Sequence, residues 1–305
     1  MLDKVFLDFV SLILIVFSGT DSSLLGQAKA LLRIFLFLII WLSAWVGITF
    51  PLFRRFQWRP FKIISPGKKL LLLLPLYLLA PLIVWGANVF FKQRWSEIGV
   101  ILSIRSIRSL IYGVGIAVAG LSLLLLLKKL FRLTTTSAQD NADLPERQYI
   151  LRYIENFPIV LGLLIVGIGI GGIEELVFRG WMLTQLENMF SPWLAAGISS
   201  IIFALAHLIW EGRSGLFQQP GLWILGWVFV ISRWADGGNL ALAWGLHTGW
   251  VWGLACMDAL LPLQPADQKP VWLVGRAHQP MTSVLDLLLL LMTAGVVWWG
   301  YRSWL

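Results

Sequence analysis

Apolar residues in this chain come in long runs rather than in alternation, at roughly 31–50, 70–91, 108–127, 157–173, 193–210, 222–234, 240–261 and 283–300. Most of these runs reach or approach the ~20 residues that an α-helix needs to cross a bilayer. The pattern predicts an all-α fold, a polytopic transmembrane helical bundle of about eight spans. A further stretch at 5–17 is shorter, follows a single lysine and is interrupted by Asp8. It reads as a short or interfacial first helix rather than a signal sequence. The polar segment from Thr134, with Asp140, Asp143, Pro145 and Glu146, divides the chain. Anterior membrane helices occupy 1–133, a polar linker 134–156, a core 157–262, and a C-terminal loop with the final span 263–305.

Composition supports the membrane reading. Hydrophobic residues make up 58% of the 305 positions and charged residues 13%, about half the charged share of a soluble domain. The formal charge of +8 sits in short loops beside the runs, where anionic lipid is a better partner than nucleic acid. The loop from Leu52 to Lys69 holds Arg54, Arg55, Arg59, Lys62, Lys68 and Lys69 and no acid, which places it in the cytoplasm by the positive-inside rule. Lys92, Arg94, Arg105 and Arg108 then fall on the opposite side, against the rule. The expected location is a cell inner membrane or its equivalent, as a multi-pass protein. Tryptophans near the run ends, Trp41, Trp45, Trp85, Trp95, Trp223, Trp234, Trp298, Trp299 and Trp304, are expected to be interfacial anchors. A single cysteine, Cys256, excludes an internal disulfide and any CxxC site.

Ionisable groups inside a span cost at least ~2.5–3.5 kcal/mol each, so those present face protein or a wet cavity. The core offers Gly171-Gly172-Ile173-Glu174-Glu175-Leu176-Val177-Phe178-Arg179-Gly180, then Phe203-Ala204-Leu205-Ala206-His207, then Gly245-Leu246-His247-Thr248-Gly249-Trp250. Glu175 and Arg179 share a helix face and can neutralise each other. Glu174 points about a quarter-turn away with no partner on its own helix, which makes it the candidate base. If the helices on either side of Ser191 and Pro192 form a hairpin, Glu174 and His207 come level. A similar count brings His247 within about one turn of that depth. Phe203 lies on the face of His207 and can wall it. Gly162, Gly167, Gly169, Gly171 and Gly172 allow close helix approach. His278 sits among Pro265, Pro270 and Pro280 and reads as a loop histidine.

Over roughly 157–262 these motifs resemble the CPBP family, the CAAX proteases and bacteriocin-processing enzymes also called Abi. The resemblance rests on the ordered set Glu174-Glu175-x-x-x-Arg179, Phe203-x-x-x-His207 and His247. It implies an intramembrane endopeptidase in which Glu174, His207 and His247 activate a water against a peptide carbonyl, with Glu175, Arg179 and Phe203 in support. The partners implied are the lipid bilayer and a membrane-associated protein or peptide substrate, prenylated or not. The family has been described both as metalloproteases and as glutamate-dependent enzymes. Glu174, His207 and His247 would suit Zn with an open position for water, and the sequence leaves both descriptions open. One position departs from the family: an asparagine is usual four residues after the last histidine, and here stands Val251. Thr248 and Asn239 are the nearby replacements for an oxyanion donor, whose loss costs ~2.7–4 kcal/mol.

Other classes stay open at this level. Val251 motivates a non-catalytic scaffold or immunity-type binding protein that retains the fold. Gly212-Arg213-Ser214-Gly215 with His247 as base would make a serine protease, although Arg213 and Glu211 mark that loop as solvated. Buried acids and histidines also serve proton-coupled transporters. No HExxH helix and no Walker or Rossmann glycine pattern is present.

Overall fold

The computed structural model describes residues 24–136, 146–261, 263–266, 269–276 and 279–300. The stretch at 5–17, His278, Trp304 and residues 137–145 of the polar linker lie outside these. Each of the eight apolar runs finds a helix: α1 Leu24–Phe56, α2 Pro66–Phe91, α3 Ile104–Leu130, α4 Glu146–Glu175, α5 Pro192–Glu211, α6 Gln219–Ala235, α7 Ala241–Leu260 and α8 Val284–Gly295. α4 continues through a π-helical segment, Leu176–Met182, into Leu183–Glu187. Five stretches are long and apolar enough to cross a membrane: Gly26–Phe56, Gly67–Phe91, Ile104–Leu130, Glu155–Glu187 and Pro192–Ala235. The protein is an integral multi-pass membrane protein. The sole sheet among the described residues is one antiparallel pair, Thr134–Thr136 with Leu263–Pro265.

Helix starts follow local chemistry. Pro66 and Pro192 open α2 and α5, where the missing N–H costs nothing. The hydroxyl of Ser103 accepts the Ser106 N–H at the head of α3. Ser283 and Asp286 form a capping box on α8.

In lipid no hydrophobic force drives helices together, so close packing and buried hydrogen bonds must do it. α7 sits at the centre, with α3 on one side and α4 on the other. Against α3 the contact is glycine on glycine. A Cβ added at Gly245 would lie 2.0 Å from the Leu110 carbonyl oxygen, and one at Gly113 would lie 2.4 Å from that of Leu242. Against α4, Gly167 and Gly171 abut Thr248, and Gly172 meets the Trp244 ring. Gly162 and Gly169 face open space instead. Two indoles then pin the pair, Trp244 Nε1 donating to the Ile168 carbonyl at 2.9 Å and Trp252 Nε1 to that of Val160 at 3.0 Å.

The tryptophan expectation needs correction. Trp41 and Trp45 are buried, and their indole N–H groups donate to the carbonyls of Leu76 and Leu72 at 2.9 and 2.8 Å, stitching α1 to α2. An indole buried in a span must find an acceptor, and a neighbouring helix supplies it. Trp85 and Trp299 are exposed, as anchors require.

Gly113→Leu should destabilise the protein by about 1–3 kcal/mol or more, because backbone on the partner helix blocks the new side chain. Gly115→Leu, whose Cβ meets nothing within 4 Å, should leave stability near wild type. Denaturation in detergent micelles measures both, and equal effects would contradict the packing described.

Candidate active site

The two adjacent glutamates end α4, where the apolar helix has descended into the bundle, and they diverge as the sequence predicts. Glu175 is fully buried and its Oε1 is shared. Arg179 Nη1 lies 3.2 Å from it and His247 Nδ1 2.8 Å from it. The expected Glu175–Arg179 pair is therefore present, with a histidine as third member. Arg179 is also fully buried. It donates to the Gly226 carbonyl at 3.3 Å and lies over the rings of Phe203 and Phe229, 4.1 and 4.8 Å from their centroids. These contacts replace the hydration the guanidinium has lost.

The other glutamate faces His247 from the opposite side. Glu174 Oε2 is 3.7 Å from His247 Nε2, and its side chain is 12% exposed. Oε2 is buried without a hydrogen-bond partner, whereas Oε1 accepts from the hydroxyl of Tyr77 on α2. Tyr77 is the residue that sequence reasoning missed. The carboxylate at Glu175 can only accept, so Nδ1 of His247 carries the proton. In the neutral ring, Nε2 then holds a lone pair facing Glu174. The ring itself is clamped by Phe229, stacked at 4.6 Å and 19°.

His207 enters differently. Its Nδ1 donates to the Phe203 carbonyl at 2.9 Å. The Phe203 ring packs against both histidines, with centroids 4.7 Å from His207 and 6.1 Å from His247. Phe203 thus walls His207 and also links it to His247. The polar contacts gather Glu174, Glu175, Arg179, His247 and Tyr77, while His207 joins through an aromatic ring.

Among the described residues, no three His, Cys, Asp or Glu side chains converge so as to hold a metal ion. The directly facing pair is one carboxylate and one imidazole, short of the three protein ligands a catalytic zinc takes. The described residues in this arrangement therefore do not fit the ion. Of the substitutes considered for the asparagine, Asn239 is already committed. Its amide donates to Ser106 Oγ at 2.7 Å and its oxygen accepts from the Ala241 N–H at 3.0 Å. Thr248 Oγ1 is buried and has no hydrogen-bond partner. Ser214 donates to the Glu211 carbonyl at 2.6 Å inside a 3-10 turn, Gly212–Gln218.

The π-helical segment begins directly after Glu175, and such bulges are frequent at functional sites. It lies where Ser199 Oγ donates to the Phe178 carbonyl at 3.0 Å, and Arg233 donates to the Arg179 carbonyl. Carbonyls displaced from the regular ladder thus gain side-chain partners.

Residues 156–253, about a third of the chain, match the family described as "Type II CAAX prenyl endopeptidase Rce1-like". The chain is also 34% identical over 77 residues to the protein named Rhomboid protease GlpG from two strains of Klebsiella pneumoniae, covering 23% of this chain. That stretch spans 28% of the length of those relatives. No solved structure matches.

Arg179→Met should cost about 3–5 kcal/mol of stability, because Glu175 is left charged and buried. The double variant Arg179→Met with Glu175→Gln should regain part of that loss. Unfolding in mixed micelles reads both, and strict additivity would contradict a direct pair.

Proposed function

We propose, on the match of residues 156–253 to the Rce1-like type II CAAX prenyl endopeptidase family, that this chain is an intramembrane endopeptidase in which Glu174 and His247 activate a water. The observation that carries this reading is the pair of facing acceptors, Glu174 Oε2 and His247 Nε2, 3.7 Å apart within a span. Each can accept one proton of a shared water, leaving the oxygen lone pair aimed at a carbonyl carbon. On attack, one of the two takes the proton and the other orients the nucleophile. The proton then passes to the leaving amine, so that the peptide bond breaks and a new carboxylate and amine leave.

The remaining residues position this pair. Tyr77 occupies Glu174 Oε1, which directs Oε2 to the water. Glu175 fixes the tautomer of His247, and Arg179 holds Glu175 in place through its hydrogen bond to Oε1. His207, anchored at Nδ1 by the Phe203 carbonyl, is the first group assigned to the carbonyl oxygen that gains charge. Thr248 is the second donor assigned to that oxygen, in place of the absent asparagine. The substrate class is a membrane-associated protein or peptide, including prenylated ones, because the water lies at membrane depth. A rhomboid-type serine mechanism finds less support: Ser214 closes its own turn.

A second reading is a binding protein that keeps the polar cluster for structure, favoured by Val251 at the asparagine position. Cleavage assays separate the two. With purified protein and a fluorogenic membrane peptide, Glu174→Gln and His247→Ala should each lower kcat by about 10²–10⁴-fold. Tyr77→Phe should lower it about tenfold, the worth of a hydrogen bond to a charged group. Full activity in Glu174→Gln would sink the proposal.

Cleavage should also survive exhaustive chelation. Loss of activity restored by Zn²⁺ alone would instead establish zinc chemistry.

A further inference from the structure

The loop between α1 and α2 is built rather than slack. Gln57 and Phe61 adopt left-handed backbone angles, φ 49° and 65°. The Trp58 indole donates to the Lys62 carbonyl at 3.1 Å, and the Phe61 N–H donates to the Ile209 carbonyl at 3.0 Å. Trp58 stacks on Trp210 at 5.0 Å and 19°, and Lys69 pairs with Glu211 at 2.5 Å. Two contacts from the loop and one from the first turn of α2 therefore fasten it to the end of α5.

So fastened, the loop borders an open concavity of ≈580 Å³ whose lining includes Phe50, Phe53, Arg54, Trp58, Arg59 and Lys62. Arg54, Arg59 and Lys62 are exposed cations, and no acid occurs between Leu52 and Lys69. Phe50 is 53% exposed at the last turns of a membrane-spanning helix. Aromatic rings and three cations lining one concavity at the end of a span match one kind of molecule: an acyl chain that carries a phosphate. Guanidinium and ammonium groups both bind phosphate oxygens strongly, and such clusters beside a span attract anionic headgroups.

We infer that this concavity binds the headgroup of an anionic phospholipid of the leaflet that contacts the α1–α2 loop. Because Trp210 lies about one turn beyond His207, a bound lipid braces the end of the helix carrying that histidine. The binding itself does not depend on proteolysis.

The test uses full-length protein in detergent, with short-chain phosphatidylglycerol, short-chain phosphatidylcholine and inorganic phosphate as probes. Native mass spectrometry counts retained lipid, and thermal unfolding reads stabilisation. Wild type should retain phosphatidylglycerol and be stabilised by it, more than by either other probe. Arg59→Gln and Lys62→Gln should each weaken retention about fivefold, the usual worth of one juxtamembrane cation. Arg108→Gln, an equal change of charge at the opposite end of the bundle, should retain lipid as wild type does. Wild-type retention in the Arg59→Gln, Lys62→Gln double variant would overturn the inference. So would equal binding of phosphatidylcholine, or full displacement by inorganic phosphate, which would make the site one for the free anion.

Discussion

A single carboxylate oxygen, Oε1 of Glu175, holds the site together. It receives Arg179 from its own helix and His247 from α7. An isolated acid at this depth would carry a prohibitive desolvation cost, and so would an isolated guanidinium. Paired, they nearly cancel in charge, and the histidine adds a second hydrogen bond to the same oxygen. The orientation of His247 follows, and with it the lone pair that meets Glu174. Every other feature of the site either supports this junction or draws on it.

The apolar scaffold exists to let that junction form. Glycine contacts on both faces of α7 allow α3 and α4 to approach at backbone distance. Indole hydrogen bonds from Trp244 and Trp252 fix the rise and rotation of α7 against α4. Rotation matters most, since a small turn of α7 would swing Nδ1 off Glu175. The rings of Phe203 and Phe229 fill the space around Arg179 and His247, excluding lipid and raising the strength of each polar contact. Tyr77 arrives from α2, so the anterior helices contribute chemistry as well as bulk.

Much of this was legible in the sequence because helical periodicity is a local rule. The eight apolar runs became eight helices, and the i, i+4 spacing of Glu175 and Arg179 became a contact. The divergence of Glu174 from Glu175 also followed from about 100° per residue. What the sequence hid was non-local. Tyr77 sits in a leucine-rich run with no motif around it, and only the packing of α2 on α4 brings it to Glu174. Matching depth brought His207 level with Glu174, yet depth says nothing of rotation, and the Phe203 ring packs against both histidines. The π-helical segment was invisible because a uniform 100° step assumes a regular ladder. Trp41 and Trp45 misled because a tryptophan near a span end serves equally as an interfacial anchor or a buried donor.

The junction makes a statement about one proton. If Glu175 holds Nδ1 of His247, the neutral imidazole must carry its proton there and present a bare Nε2 to Glu174. Nitrogen-15 NMR of histidine-labelled protein in nanodiscs, with His247→Gln for assignment, reads that tautomer directly. The account predicts a protonated Nδ1 and a lone pair on Nε2 at neutral pH, lost in Glu175→Leu. A neutral His247 protonated at Nε2 in the wild-type protein would contradict it.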